Sequence, residues 1–236
     1  KIKSHKDKVK FKGKFANNIN KSKNSVLKTL SLLRKKKIIT THYSVLINKN
    51  IPVFSGLGGG TSNAFTLAKY FLKKKINKNL KFFLNKKIGT DIQLFFYNIG
   101  FLENLKKVNS FKTKYRLNFL LIFPNLKCST KYIYSKIRKY SSKTKFRPDK
   151  VKNKRKFIEF LSSEHNALQS IVEKKFPKVK KLLTQIRQEK GCYFSRMSGS
   201  GSVCYGIFES EKTAKGALKR IKLKYPKYWL TVAKTI

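Results

Sequence analysis

Two glycine-rich segments and one aspartate are the features of this sequence whose residue types could support chemistry. The first segment runs Gly56-Leu-Gly-Gly-Gly-Thr-Ser-Asn63, so four of the chain's 12 glycines fall within five residues. An apolar stretch precedes it and a helical pattern follows it. Such a loop can bind phosphate, because small residues expose backbone N–H groups and the helix N-terminus carries a partial positive charge. The alternative is an ordinary turn in which Thr61 or Ser62 caps the helix.

The first segment differs from the common nucleotide-binding motifs. It does not end in Gly-Lys-Ser/Thr, as a Walker loop does, and it is not a dinucleotide fingerprint. The hydroxyls of Thr61 and Ser62 could donate hydrogen bonds or assist a magnesium ion. The second segment, Ser-Gly-Ser-Gly at 198–201, lies between two apolar stretches. It predicts either a plain hairpin turn or a second backbone edge that approaches the same ligand.

Aspartate occurs only three times, so each one can be considered separately. Asp7 and Asp149 lie among lysines, and we expect both to be solvated surface charges. Asp91 follows Gly89-Thr90 and precedes an apolar segment, which indicates a carboxylate held near the core at the start of an element. It is expected either to cap a helix or to accept the proton from, or orient, a hydroxyl that attacks the γ-phosphate of a nucleotide.

The surrounding patterns predict the elements that must position these residues. A helix with Asn24 or Ser25 as its cap and a strand precede the first glycine segment, and a helix starts directly after it. A basic stretch at 106–114 is a candidate boundary, and 141–155 is expected to be a basic loop with little structure. The order of elements suggests an α+β chain whose second half is a split βαβ sandwich. The predicted strands are 43–47, 99–102, 118–123, 193–197, 202–208 and 229–232, and the predicted helices are 24–36, 61–74, 130–138, two around 168–172 and 179–186, and 211–223.

Composition narrows the class of protein. The 236 residues carry a net charge of +47, yet 40% are hydrophobic, so a folded core is expected and not disorder. The lysines are spread along the whole chain, which favours a drift in composition over a nucleic-acid-binding stripe. Three cysteines and three histidines support neither a disulfide framework nor a zinc cluster. The apolar run at 117–123 is far shorter than the ~20 residues of a membrane helix. We expect an intracellular protein in a reducing compartment.

Three strings taken together resemble the GHMP small-molecule kinases. They are 51–64, which contains the first glycine segment, 89–96, which contains Asp91, and 197–201. Each string alone is weak, but the ordered set is specific. The resemblance extends over nearly the whole chain from Asn24 onward, because the strand at 119–124 and the Ser129-Thr130 pair after it also look like those of the family.

The resemblance implies a fold and a reaction. It implies an N-terminal left-handed βαβ domain, truncated at its start, over 1–113 and a C-terminal ferredoxin-like α/β sandwich over 114–236, with the active site in the cleft between them. It implies ATP and magnesium as cofactors, and transfer of phosphate to the 2-hydroxyl of a cytidine-diphosphate-linked methylerythritol in isoprenoid precursor synthesis. No specific nucleic acid and no membrane is expected as a partner. A bacterial cytoplasm is the expected location, or a plastid in a plastid-bearing source.

The resemblance also assigns roles residue by residue. Asp91 would be the catalytic base, and Tyr134 would stack on the cytosine. Thr130 and the second glycine segment, Ser198, Gly199, Ser200 and Gly201, would contact the phosphates or the methylerythritol end. The ATP phosphates would be held by Gly56, Leu57, Gly58, Gly59, Gly60, Thr61, Ser62 and Asn63.

The sequence departs from the family pattern at its start. The family carries an N-terminal lysine that pairs with the catalytic aspartate and a Gly-Tyr-His segment that recognises cytidine. None of His5, His42 and His165 stands in that context, and the chain begins with Lys1. We therefore expect a fragment of a longer kinase. Two alternatives stay open: another GHMP kinase of the homoserine or mevalonate type, and a lysine-rich protein that binds polyanions such as RNA.

Overall fold

The computed structural model describes residues 2–22, 24–73, 77–97, 99–104, 107–111, 115–138, 151 and 153–235. These residues form two compact units. One unit contains Lys1–Val53 and Gly58–Phe111, and the other contains Phe54–Leu57 and Lys112–Ile236. The predicted domain boundary at 113/114 falls within 112–114, outside the described residues, as does most of the basic loop expected at 141–155.

The first unit is a three-stranded sheet with helices and a short hairpin. In the sheet, β3 lies in the middle, antiparallel to β1 and parallel to β2. The parallel pair β2–β3 is connected through α1, whose N-terminus is capped by the Asn24 side chain as predicted. The elements are β1 (Ile2–Ser4), β2 (Lys8–Lys12), α1 (Ser25–Lys35), β3 (His42–Asn48), α2 (Gly59–Leu72), α3 (Lys78–Ile88), a 3-10 helix (Thr90–Phe96), β4 (Gly100–Asn104) and β5 (Lys107–Ser110).

The core of the first unit is apolar and is drawn from helices α1, α2 and α3, strand β3 and the 3-10 helix. Because α1 and α2 each contribute buried side chains at helical spacing, the start of α2 is held on a packed layer. The buried residues of this cluster are Leu30, Leu33, Ile39, Tyr43, Ala68, Leu72, Leu84 and Ile92.

Asp7 is part of this unit's structure and not a solvated charge, so the expectation from sequence was wrong. Its carboxylate forms a bidentate pair with the Arg34 guanidinium, at 2.9 and 3.0 Å, and also accepts a hydrogen bond from the Tyr43 backbone N–H. Only 14% of its side chain is exposed. The partner lies 27 positions away, so local charge density along the chain could not reveal it. Asp149 lies outside the described residues.

The second unit is a four-stranded antiparallel sheet with helices. Its strand order is β7-β8-β6-β9, and every neighbouring pair is antiparallel. Strands and helices alternate as in a ferredoxin-like sandwich, so the predicted fold of this half is confirmed. The elements are β6 (Asn118–Phe123), α4 (Thr130–Ser135), α5 (Lys154–Ser163), α6 (Gln169–Lys175), α7 (Pro177–Gln188), β7 (Cys192–Met197), β8 (Cys204–Phe208), α8 (Glu211–Lys224) and β9 (Trp229–Lys234).

Several elements differ from the sequence prediction. The sequence pattern did not predict β1, β2, α3, β5 or α5 as elements. The loop expected to run to Arg155 ends earlier, because α5 starts at Lys154 under an Asn153 side-chain cap and buries Phe157 and Ile158. Helix α4 ends at Ser135, where the Lys136 N–H turns back to the carbonyls of Ile133 and Tyr134. The predicted apolar segment at 91–96 is a 3-10 helix.

The helices that the structure describes are short. The longest, α2 and α8, have 14 residues each. No helix in the described part of the chain is both long enough and apolar enough to cross a bilayer.

Candidate active site

The N-terminus of α2 has no side-chain cap. Its N-cap residue is Gly58, and no side chain accepts from the first turn. Thr61 and Ser62 lie inside the helix and do not cap it, so the alternative of an ordinary capped turn is wrong. By contrast, five other helices are capped by side chains, those of Asn24, Asn77, Ser129, Asn153 and Ser210.

The open end of α2 leaves donors available. The Ser62 N–H bonds to the Gly58 carbonyl within the helix. The N–H groups of Gly59, Gly60 and Thr61 have no acceptor among the described residues. Unsatisfied N–H groups and the helix dipole together attract an anion. Asn63 is the fifth residue of the same helix, and its side chain is partly buried.

Lys49 is a buried cation beside this helix end. It is only 6% exposed, and its burial lowers the pKa of its ammonium. Its backbone is fixed on both sides, because its N–H donates to the Lys12 carbonyl and its carbonyl accepts from the Phe15 N–H. No described residue forms a hydrogen bond or ion pair with its Nζ, which keeps some exposure at the surface.

The ammonium of Lys49 comes close to Gly59, the first residue of α2. A Cβ on Gly59 would lie 2.7 Å from Lys49 Nζ. A buried positive charge next to the positive end of a helix is unfavourable unless an anion compensates it. No Asp or Glu occurs in the sequence between Asp7 and Asp91 to supply that anion locally. The site therefore has the electrostatics of an anion-binding pocket.

Asp91 lies on the element that packs against the start of α2. It is in the first turn of the 3-10 helix, whose N-cap is Gly89, so Asp91 does not cap this helix. The same 3-10 helix places Phe95 and Phe96 against Phe65 of α2, with ring centroids 5.9 and 4.9 Å apart. The Asp91 carboxylate is exposed and pairs with none of the described residues. It is therefore available to a bound substrate.

In the second unit, Gly56 packs directly against the second glycine segment. The Ser198 hydroxyl donates to the Gly56 carbonyl at 2.9 Å, and the Val203 N–H donates to the Ser55 carbonyl at 3.1 Å. Gly56 has a positive φ of 75°, and a Cβ there would collide with the Ser198 carbonyl. Residues 55–56 and 198–203 thus form one hydrogen-bonded backbone layer.

Thr130 and Ser200, which were both predicted to bind the substrate, are in contact with each other. Their hydroxyl oxygens are 2.9 Å apart. Tyr134 lies one helical turn after Thr130 on α4, so both face the same side of that helix. The Tyr134 ring is 57% exposed and is free to stack on a flat ligand.

Lys49 is the residue that the sequence reasoning missed. A signal for it exists, because it is the only Lys or Arg between Lys37 and Lys69 in a chain where such residues are otherwise dense. Its meaning depends on burial, which is a tertiary property that spacing along the chain does not show.

The described residues contain no group of three or more His, Cys, Asp or Glu side chains that could hold a metal ion. In kinases a magnesium ion is typically held by one or two protein oxygens together with substrate phosphates and water. Thr61, Ser62 and Asp91 carry side-chain oxygens of the kind that such an ion binds.

The chain matches two family models and several named relatives. The family model described as GHMP kinases N terminal domain matches residues 24–93, and that described as GHMP kinases C terminal matches 151–227. The 4-diphosphocytidyl-2-C-methyl-D-erythritol kinase of Pelagibacter ubique is 34% identical, with 97% of this chain and 82% of that protein covered. The enzyme of the same name from Wolbachia pipientis wMel is 31% identical, with 90% and 75% covered.

Solved structures show the same fold. The crystal structure of 4-(cytidine 5'-diphospho)-2C-methyl-D-erythritol kinase superposes with a TM-score of 0.69 at 20% identity, with 96% of this chain and 82% of that chain covered. Homoserine kinase from Cytophaga hutchinsonii gives 0.63 at 15% identity, with 99% and 84% covered.

The chain therefore belongs to the GHMP kinases, a family of ATP-dependent phosphotransferases. Within that family, its relatives from Pelagibacter and Wolbachia are both 4-diphosphocytidyl-2-C-methyl-D-erythritol kinases. The predicted family and the predicted two-part α+β fold are confirmed.

Proposed function

We propose that this protein transfers the γ-phosphate of ATP to the 2-hydroxyl of 4-diphosphocytidyl-2-C-methyl-D-erythritol, a step in non-mevalonate isoprenoid precursor synthesis. The named relatives support the choice of substrate within the family. The observation in the structure that carries the kinase chemistry is the buried, unpaired Lys49 ammonium beside the uncapped N-terminus of α2.

The start of α2 is the proposed phosphate site. In this proposal the backbone from Gly56 to Asn63 binds the ATP phosphates, and Lys49 adds a positive charge in a poorly hydrated position. Such preorganised charge stabilises a developing anion more than water does, because it needs no reorganisation during the reaction. A bound phosphate also removes the electrostatic penalty that Lys49 carries in the free protein.

Asp91 is the proposed general base. Its carboxylate accepts the proton of the 2-hydroxyl as that oxygen attacks the γ-phosphorus. The new P–O bond forms, the bond to the β,γ-bridging oxygen breaks, and ADP leaves. The exposed carboxylate, on an element packed against α2, is suited to this role because it must reach a hydroxyl brought by the acceptor. A magnesium ion held by Thr61, Ser62 or Asp91 would neutralise phosphate charge when ATP is bound.

The acceptor is proposed to bind along α4 and the second glycine segment. Tyr134 stacks on the cytosine, while Thr130 and the residues 198–201 contact the phosphates or the methylerythritol end. The Thr130–Ser200 hydrogen bond supports this grouping, since it joins two of these residues directly. The stacking role suits an exposed ring on a helix surface.

The test is an acceptor panel measured with the full-length protein as its gene encodes it. ATP turnover is followed with 4-diphosphocytidyl-2-C-methyl-D-erythritol, homoserine and mevalonate as separate acceptors. We expect turnover with the first acceptor alone. Turnover with homoserine or mevalonate instead would move the protein to another branch of the family. If the folded protein bound no ATP, the glycine segments would be structural and the kinase proposal would fail.

A further inference from the structure

The second glycine segment keeps two backbone donors free. Within 198–203, the Ser198 N–H bonds to the Val203 carbonyl and the Gly201 N–H bonds to the Ser198 carbonyl. The N–H groups of Gly199 and Ser200 meet no acceptor in the described part of the chain. Two successive free N–H groups in a turn form a concave site suited to an anion. The orientation of these two N–H groups depends on the residues that surround the loop.

Asn166 supports this loop from outside it. Its side-chain NH₂ donates to the carbonyls of Met197 at 2.9 Å and Gly199 at 2.8 Å. Its side-chain oxygen accepts from the Leu168 N–H at 3.0 Å, which fixes the amide in this orientation. Both amide hydrogens are therefore used on loop carbonyls.

Gln169 contacts the same loop from the first residue of α6. Its side-chain oxygen accepts from the Met197 N–H at 3.0 Å. Its NH₂ donates to Glu173, one turn further along the helix, at 2.8 Å. Asn166 and Gln169 thus bind both polar groups of Met197, the residue that leads into the loop.

These contacts determine where the loop's donors point. In a planar trans peptide the carbonyl and the following N–H point in opposite directions. Because Asn166 binds the Gly199 carbonyl, the Ser200 N–H must point away from Asn166. The same rule holds two peptides earlier, where the Met197 carbonyl faces Asn166 and the Ser198 N–H faces Val203 instead.

We propose that Asn166 and Gln169 are positioning residues for phosphoryl transfer, which hold the Gly199–Ser200 peptide so that its N–H faces the substrate phosphates. Neither residue touches the substrate in this account. The inference rests on the proposed function, since the anion at the loop is taken to be a phosphate of that reaction. A fixed donor stabilises charge in the transition state only if its direction is set before the reaction.

The experiment compares three variants of the full-length protein. Asn166→Asp keeps the oxygen that accepts from Leu168 but removes the NH₂ that binds two loop carbonyls. Gln169→Leu removes the acceptor for the Met197 N–H. Ser210→Ala is the matched control, because it removes the side-chain cap of α8 and thus costs stability without touching the loop.

Two readouts separate positioning from general destabilisation. For Asn166→Asp and Gln169→Leu we expect kcat to fall by about 10- to 100-fold while the KM for ATP changes little, as for a misplaced catalytic donor. Ser210→Ala should keep kcat near that of the unmodified protein. Amide hydrogen exchange at 198–202 should rise in the first two variants only.

The outcomes distinguish this inference from the proposed function. If Asn166→Asp and Gln169→Leu lose stability as Ser210→Ala does but keep kcat and loop protection, the two residues are merely structural and the inference is overturned. If the unmodified protein transfers no phosphate to the acceptor, the proposed function fails. In that case loop protection decides the inference alone: unchanged exchange at 198–202 in both variants rejects it, and increased exchange supports it.

Discussion

The start of α2 and the loop at 198–201 both present backbone N–H groups that no described residue accepts from, but they do so by different means. At α2 the donors are open because Gly58 gives the helix no side-chain cap, and the buried Lys49 adds charge. At 198–201 the donors are open because Asn166 and Gln169 hold the loop's other polar groups. Anion binding at the start of α2 would depend on positive charge, whereas at 198–201 it would depend on the orientation of the backbone donors. They should therefore respond to different substitutions.

The largest effect is expected at Asp91, which belongs to neither loop. Asp91→Asn removes the proposed base but keeps the size of the side chain, so kcat should fall by about 10²- to 10⁴-fold. The KM for ATP should change little, because the phosphate donors are untouched. Steady-state kinetics with ATP and the cytidine-linked acceptor measure both. A large rise in the KM for ATP with an unchanged kcat would show that Asp91 binds nucleotide and is not a base.

Lys49→Met tests the role of charge at the α2 end. It should lower kcat/KM for ATP by about 10- to 100-fold, the range of a lost buried charge contact to phosphate. It should also raise the unfolding free energy of the nucleotide-free protein by roughly 1 kcal/mol, because an uncompensated buried cation is removed. Kinetics and urea denaturation measure the two effects. A lysine that served only the fold would show the opposite sign, a loss of stability.

Gly56→Ala tests the shared backbone layer of the second unit. The added Cβ would meet the Ser198 carbonyl in a left-handed backbone conformation. We expect a loss of about 2 kcal/mol in unfolding free energy, together with raised hydrogen exchange at 198–203. Gly216→Ala at a half-buried position of α8 is a suitable control, since its nearest neighbour is the flexible end of Arg220. Equal stability in the two variants would contradict the close packing described.

Tyr134→Ala should raise the KM for the cytidine-linked acceptor by about 5- to 20-fold, because one aromatic stacking contact is lost. Tyr134→Phe keeps the ring and should retain most of the affinity. The KM for ATP should be the same in both variants. If the phenylalanine variant were as weak as the alanine variant, the hydroxyl and not the ring would carry the contact.

The smallest effect is a pH dependence set by Lys49. Burial lowers the pKa of Lys49 in the folded protein. In the unfolded chain the pKa of a lysine is about 10.4. Between these values the unfolded chain binds more protons, so the unfolding free energy of the nucleotide-free protein should rise with pH. ATP affinity should fall over the same range, because the ammonium loses its charge. Both trends should flatten in Lys49→Met, and a pH profile that this substitution leaves unchanged would contradict the assignment.

Part of this molecule follows from local sequence. Asn24 caps α1 as its position before an apolar helical pattern predicts, and the order of strands and helices after residue 118 predicts the ferredoxin-like sheet. Helices α3 and α5 were missed because each lies in a lysine-rich stretch of the sequence, although both contain apolar residues. Their stability comes from packing, which single-chain periodicity does not report.

The site is less accessible from sequence than the fold. The glycine segments and Asp91 can be found by spacing, but the pairing of Asp7 with Arg34 and the burial of Lys49 arise only when distant elements meet. The hydrogen bonds from Asn166 to loop residues more than 30 positions away are of the same kind. The isolated position of Lys49 among the cations marks it in the sequence, but the contacts that give these residues their roles do not appear there.

The most direct test of the account is the identity of the phosphorylated product. The full-length protein is incubated with ATP and 4-diphosphocytidyl-2-C-methyl-D-erythritol, and the product is examined by phosphorus NMR beside an Asp91→Asn reaction. We predict a new phosphate ester on the 2-hydroxyl, formed with ADP in equal amounts and nearly absent in the variant. ADP formation without that ester, or equal product from both proteins, would contradict the central claim.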